Sequence, residues 1–110
     1  MKLPNALLAD VPDRKLGGYL LLHDHPQNKG KAAFYEVVGF TINNAHKLRE
    51  ALCWHIMYNE VAKVEPTEHG TRYVVEGQMP CENGKNYLIR SVWFISNGET
   101  IPKFVTAYPS

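Results

Sequence analysis

Asn86-Tyr-Leu-Ile-Arg-Ser-Val-Trp-Phe-Ile-Ser-Asn-Gly-Glu-Thr-Ile-Pro-Lys-Phe-Val-Thr-Ala-Tyr-Pro-Ser110 is rich in β-branched and aromatic residues and is broken once, at Ser96-Asn97-Gly98. That pattern predicts two apolar strands joined by a turn. Strand side chains alternate between faces. One set is Leu88, Arg90, Val92, Phe94 and the other Ile89, Ser91, Trp93, Ile95; the last strand sorts into Phe104, Thr106, Tyr108 against Val105, Ala107. A register with Arg90 opposite Thr106 puts a cation, a hydroxyl and a phenol on one face, because opposed residues of an antiparallel pair point the same way. It leaves Val105, Ala107, Ile89 and Trp93 under the helices. A slip of one residue would split the polar set.

Working back toward the start, Glu82-Asn83-Gly84-Lys85 contains Asn-Gly, a strong hairpin signal. Thr71–Glu76 reads as a strand, Glu68-His69-Gly70 as a turn, and Val61–Val64 as a further short strand. Before Glu60 the period is helical. Leu48, Ala51, Leu52, His55 and Ile56 recur at steps of three and four, so a helix is expected over about Ala45–Tyr58, capped by Thr41 or Asn43. A short helix is expected over Lys31–Val38, with Ala32, Ala33, Phe34, Val37 and Val38 inward and Gly39 ending it. A first helix starts at Pro12 and carries Leu16, Tyr19, Leu20 and Leu22. Its Gly17-Gly18 pair costs roughly 1 kcal/mol per glycine relative to alanine, so it must lean on tertiary packing. The expected fold is therefore α+β: about three N-terminal helices on one face of a C-terminal four-stranded antiparallel meander. It forms a single domain over 1–110, helical to about residue 59 and β from about 60.

Composition narrows the function. Hydrophobic residues are 45% and charged residues 21%, which describes a folded globular chain. The net charge of +1 supplies no bulk field for a polyanion, so any nucleic-acid site must be a local patch. Two cysteines, Cys53 and Cys81, make no disulfide framework and no metal-type pair. Met1-Lys-Leu-Pro-Asn5 lacks the apolar core of a secretory signal, and no segment reaches transmembrane length. A reduced, cytoplasmic protein with no membrane partner is the expectation.

The chain resembles a family of small bacterial proteins of unknown function. The matching features are Leu3-Pro4-Asn5, His25-Pro26 followed by Lys29, Lys31-Ala32 and Phe34, Gly39, Gly70-x-x-Tyr73, Asn83-Gly84, Arg90-Ser91-Val92-Trp93, and Pro102-x-Phe104-Val105-Thr106-Ala107-Tyr108-Pro109. The layout is similar, at the level of fold, to the barnase, EndoU and RelE-like toxin ribonucleases. That similarity implies RNA cleavage without a metal or other cofactor. The resemblance to the small bacterial family implies one half of a toxin–antitoxin or effector–immunity pair, with a small cognate antitoxin or immunity protein as partner.

Such chemistry needs a proton-transfer group and donors around a phosphorane. The catalytic candidates are His25, Lys31, Arg90, Thr106 and Tyr108, with Lys29, Ser91 and Tyr73 as substrate-binding candidates. Imidazole titrates near working pH, at about 6.5 when unperturbed. Lys31 opens a helix and can share a phosphate with its free N–H groups. Arg90 offers a bidentate fork, Thr106 a donor, and Tyr108 a donor or a stacking ring. The substrate would be tRNA or mRNA presented single-stranded. Each residue has a structural alternative: His25 shaping its loop, Arg90 paired with Glu76 on the next strand, Tyr108 at the core edge, His55 packed in its helix. His23-x-His25 lacks a third ligand, so no metal is expected. The rival function is a non-catalytic interaction module of the immunity or antitoxin type. A homodimer is a further arrangement open to either.

Overall fold

The structure is a computed structural model describing residues 1–110. It is an α+β fold in two layers. A 3₁₀ turn (Ala6–Leu8) leads to α1 (Asp13–Lys15), which runs on as a π-helical turn over Leu16–Leu20. Helix α2 is Lys31–Val37, a second 3₁₀ turn is Ile42–Asn44, and α3 is Ala45–Tyr58. The sheet follows as β1 (Val61–Pro66), β2 (Gly70–Pro80), β3 (Asn86–Ser96) and β4 (Lys103–Pro109). Its order is β1-β2-β3-β4, every neighbour antiparallel, as the sequence predicts for a meander. No helix is long and apolar enough to cross a membrane.

Helix α3 is the principal support of the sheet. Its buried residues are Leu48, Ala51, Leu52, His55 and Ile56, the set its periodicity predicts. Thr41 Oγ1 accepts from the Asn43 N–H at 3.2 Å, and Asn44 Oδ1 accepts from the Thr41 N–H at 2.7 Å, so Thr41 caps the 3₁₀ turn Ile42–Asn44 that leads into α3 rather than α3 itself. Helix α2 differs from expectation. It buries Ala32 and Tyr35, while Val37 is 78% exposed and Ala33 is exposed. Tyr35 takes the inward position because its hydroxyl donates to the Ala107 carbonyl at 2.7 Å, tying α2 to β4. Burial holds that phenol well above its usual titration range.

Two corrections concern the sheet. Strand β2 continues four residues past Glu76, through Gly77. In the last hairpin Arg90 faces Tyr108 and Val92 faces Thr106, two residues from the expected register; the ladder shifts at Val92/Trp93, where β4 bulges. A shift of two preserves face, so Arg90, Thr106 and Tyr108 still share the face away from α3. On the helix side lie Val75, Met79, Ile89, Trp93, Phe104 and Ala107, all in one core cluster.

That core contains one polar chain, and its donors fix it completely. Trp93 Nε1–H donates to Ser91 Oγ at 2.8 Å. Ser91 Oγ–H donates in turn to His55 Nδ1 at 3.0 Å. His55 Nε2 lies 3.1 and 3.0 Å from the Gly77 and Ile89 carbonyls, which only accept, so Nε2 carries the proton. The imidazole is neutral and sealed, and burial lowers its pKa. A depressed folded value means the unfolded chain binds the proton more readily. The stabilisation is therefore complete above the unfolded histidine value of about 6.5 and is lost as pH falls below it. We expect the urea midpoint to drop between pH 7.5 and pH 5, and His55→Gln to flatten that slope.

Candidate functional site

The loop between the first helical segment and α2 is built around Asn28, which is buried. Its Nδ2 donates to the Tyr19 and Leu22 carbonyls at 2.9 and 2.6 Å, and its Oδ1 accepts from the Gly30 N–H at 3.1 Å. Lys29 and Gly30 then take positive φ values of 54° and 80° to turn the chain into α2. Asn28 thus fixes the loop that carries His25. Replacing it removes the acceptor of the Gly30 N–H and one of the two donors on each carbonyl, which keep the Leu22 and His25 N–H groups; each lost hydrogen bond is worth about 0.5–1.5 kcal/mol. We expect Asn28→Ala to lower the urea midpoint accordingly and to speed proteolysis within residues 22–30.

His25 stands at the centre of the loop, half-buried. Its Nδ1 accepts from the Gln27 N–H at 3.1 Å, so the neutral ring carries its proton on Nε2. Nε2 has no protein partner. The ring meets Tyr19 edge-to-face, centroids 5.1 Å apart. Tyr19 packs on the core, and its hydroxyl reaches around the β4 edge to Thr106 Oγ1 at 2.9 Å. His25, Tyr19 and Thr106 line one open hollow of about 560 Å³ with Arg14, Lys15 and Gln27. Lys15 Nζ lies 4.5 Å from the Tyr19 ring centroid. The structure therefore brings His25 and Thr106 together.

The other candidates fall elsewhere. Lys29, Lys31 and Tyr108 line a second hollow with Gly30, Phe34 and Pro109. The amides that enter α2 beside Lys31 are already engaged: the Gly30 N–H is taken by Asn28 Oδ1 and the Lys31 N–H by the Asn28 carbonyl at 3.1 Å. Arg90 lines neither hollow. Its Nε donates to Glu76 Oε2 at 2.8 Å and its Nη2 to the same oxygen, with side chains 43% and 31% exposed. The guanidinium holds the Glu76 carboxyl below its usual range. The fork is committed to a carboxylate on the neighbouring strand, the alternative the sequence offered. Ser91 is wholly buried in the His55–Trp93 chain and cannot meet a ligand from solvent. Tyr73 points to the helix side, paired with Trp93 and packed against the core. Of the other histidines, His23 meets Glu36 at 2.9 Å on the surface.

Sequence pattern alone does not mark Arg14, Lys15 and Tyr19. The available signal is the Lys15/Tyr19 spacing of four, which stacks the two side chains on one helix face. The charge distribution gives these residues weight. Lys47, Arg49, Lys63, Arg72, Arg90 and Lys103 each pair with a carboxylate. Lys2, Arg14, Lys15, Lys29, Lys31 and Lys85 pair with none; Arg14, Lys15, Lys29 and Lys31 line the two hollows, and no carboxylate lines either. A chain of net charge +1 thus carries a local cationic strip along β4.

The chain belongs to the domain of unknown function family DUF6883, which matches residues 2–110. No curated protein matches it. Its fold is similar to that of a chain in the contact-dependent growth inhibition toxin–immunity protein complex from Klebsiella pneumoniae 342. The TM-score is 0.68 at 17% identity, covering 91% of this chain and 98% of that one. At that identity the likeness is one of fold.

Proposed function

We propose that the protein is a toxin that cleaves RNA without a metal, and that the His25 hollow is its active site. The observation that carries the reading is the meeting, in one open hollow, of an imidazole with a free Nε2, two hydroxyls and two unpaired cations. The fold shared with a chain of a toxin–immunity complex supports a place in such a pair, as toxin or as immunity protein. The resemblance to barnase, EndoU and RelE-like ribonucleases supports the choice of RNA. In this scheme the RNA 2′-oxygen attacks the adjacent phosphorus, and the bond from phosphorus to the 5′-oxygen breaks. The Thr106–Tyr19 hydroxyl pair orients the 2′-hydroxyl as it loses its proton to solvent. Arg14 and Lys15 neutralise the phosphorane oxygens. Protonation of His25 at Nδ1 releases the Gln27 N–H, and the charged ring then delivers the Nε2 proton to the departing 5′-oxygen. The products are a 2′,3′-cyclic phosphate and a 5′-hydroxyl. Arg90 has no part in this scheme, because Glu76 on the neighbouring strand holds its fork.

A binding module of the immunity type is the second reading. It draws on the apolar surface of the N-terminal turn, where Leu7 is 84% exposed and lines a hollow with Leu8 and Met57. Expression in a bacterium separates the two. We expect growth arrest and fragmented RNA from the native chain, both lost with Arg14→Ala/Lys15→Ala. Unimpaired growth and intact RNA with the native chain would favour the binding module.

A further inference from the structure

The second hollow, of about 510 Å³, lies one strand step from the first: Thr106 opens on one and Tyr108 on the other. Two residues on a strand advance about 6.6 Å, a distance comparable to one nucleotide of extended single strand. Lys31 Nζ sits 5.6 Å from the Tyr108 ring centroid, and the Phe34 ring stands edge-to-face against Tyr87 at 5.8 Å. Two unpaired ammonium groups, two rings and a proline with no acid among them form a surface for a ligand that is flat on one side and anionic on the other.

We propose that this hollow is a second nucleotide subsite, holding the nucleotide next to the phosphodiester in the His25 hollow; the assignment of that neighbour rests on the ribonuclease reading. The base takes the place of the Lys31 ammonium over the Tyr108 ring. The ammonium joins Lys29 on the phosphate. Single strands can present a base this way, whereas a duplex keeps its bases stacked inside. Ring stacking tolerates any base, so this subsite selects strandedness rather than sequence.

Binding can be measured without cleavage, using the full chain and a labelled single-stranded decathymidylate, which has no 2′-hydroxyl. We expect Tyr108→Leu to weaken binding about 5- to 100-fold through lost stacking, and Tyr108→Phe to restore it. Lys29→Ala/Lys31→Ala should reduce the slope of log affinity against log salt by about 0.7 for each phosphate no longer neutralised. A duplex of equal length should bind at least tenfold more weakly, again through unavailable bases. The proposal is overturned by absence of binding to the native chain, by equal affinity of native and Tyr108→Leu, or by polyglutamate displacing the oligonucleotide at equal charge concentration. That last result would assign the strip to an acidic polypeptide. Ring-dependent binding by a chain that leaves RNA intact would sink the ribonuclease reading alone. RNA cleavage with ring-independent binding would sink the subsite alone.

Discussion

His25→Ala is expected to reduce RNA cleavage by about 10²- to 10⁴-fold, the usual worth of a positioned proton-transfer group. The size of the effect follows from geometry. In the neutral ring Nδ1 accepts from the Gln27 N–H and leaves Nε2 free for a ligand; protonation of Nδ1 gives up that bond and charges the ring for proton transfer. No second imidazole lines the hollow to take over. Loop damage is the obvious confounder, and His25→Asn controls for it. The asparagine oxygen can accept the same Gln27 N–H in an Asx-type turn but transfers no proton. We expect both variants to be equally inactive and to unfold at the native urea midpoint. Native-like cleavage by His25→Asn would show that the residue only shapes its loop.

Gly77→Ala is expected to be among the most destabilising single changes in the chain. A Cβ at residue 77 would stand 1.9 Å from Asn59 Oδ1 and 2.2 Å from its Cγ. Asn59 closes the C-terminal end of α3, donating to the His55 and Gln78 carbonyls at 2.9 Å each. The Gly77 carbonyl also receives His55 Nε2–H. A methyl group here wedges α3 off the sheet and strains the buried His55 chain together. Overpacking of this kind costs about 1–3 kcal/mol, readable in urea unfolding. Asn59→Gly removes the opposing atoms, so the double variant should recover part of the loss, a coupling expected of residues in contact. Additive losses in the cycle would refute the steric account.

Gly77 also shows where sequence reading stops. A strand pattern that meets Glu76-Gly77 reads as ending there, because glycine contributes no side chain to the alternation. Its physical reason is the approach of Asn59, a residue 18 positions away, which no local pattern displays. Helix α3 was legible because 14 residues give its apolar stripe several turns to declare itself. Helix α2, at seven residues, spans barely two turns, and its inward face was decided by the Tyr35 hydroxyl finding the Ala107 carbonyl. The candidate site was half legible. His25, Thr106, Lys29, Lys31 and Tyr108 were recognisable as residue types suited to phosphate chemistry, and they do line two neighbouring hollows. Their division between those hollows depends on the β4 bulge and the Asn28-pinned loop. Arg90 was drawn away by a carboxylate directly opposite it, Glu76, and Ser91 by the tautomer demands of a buried histidine. Arg14 and Lys15 gain meaning only by contrast with cations neutralised elsewhere in the fold.

The most direct test of the central claim is end-group analysis of RNA incubated with the purified chain in excess EDTA. We predict cleavage undiminished by the chelator, 2′,3′-cyclic phosphate and 5′-hydroxyl termini, and loss of both on substituting Arg14 and Lys15. Intact RNA from the native chain, or fragments bearing 5′-phosphates, would contradict the account.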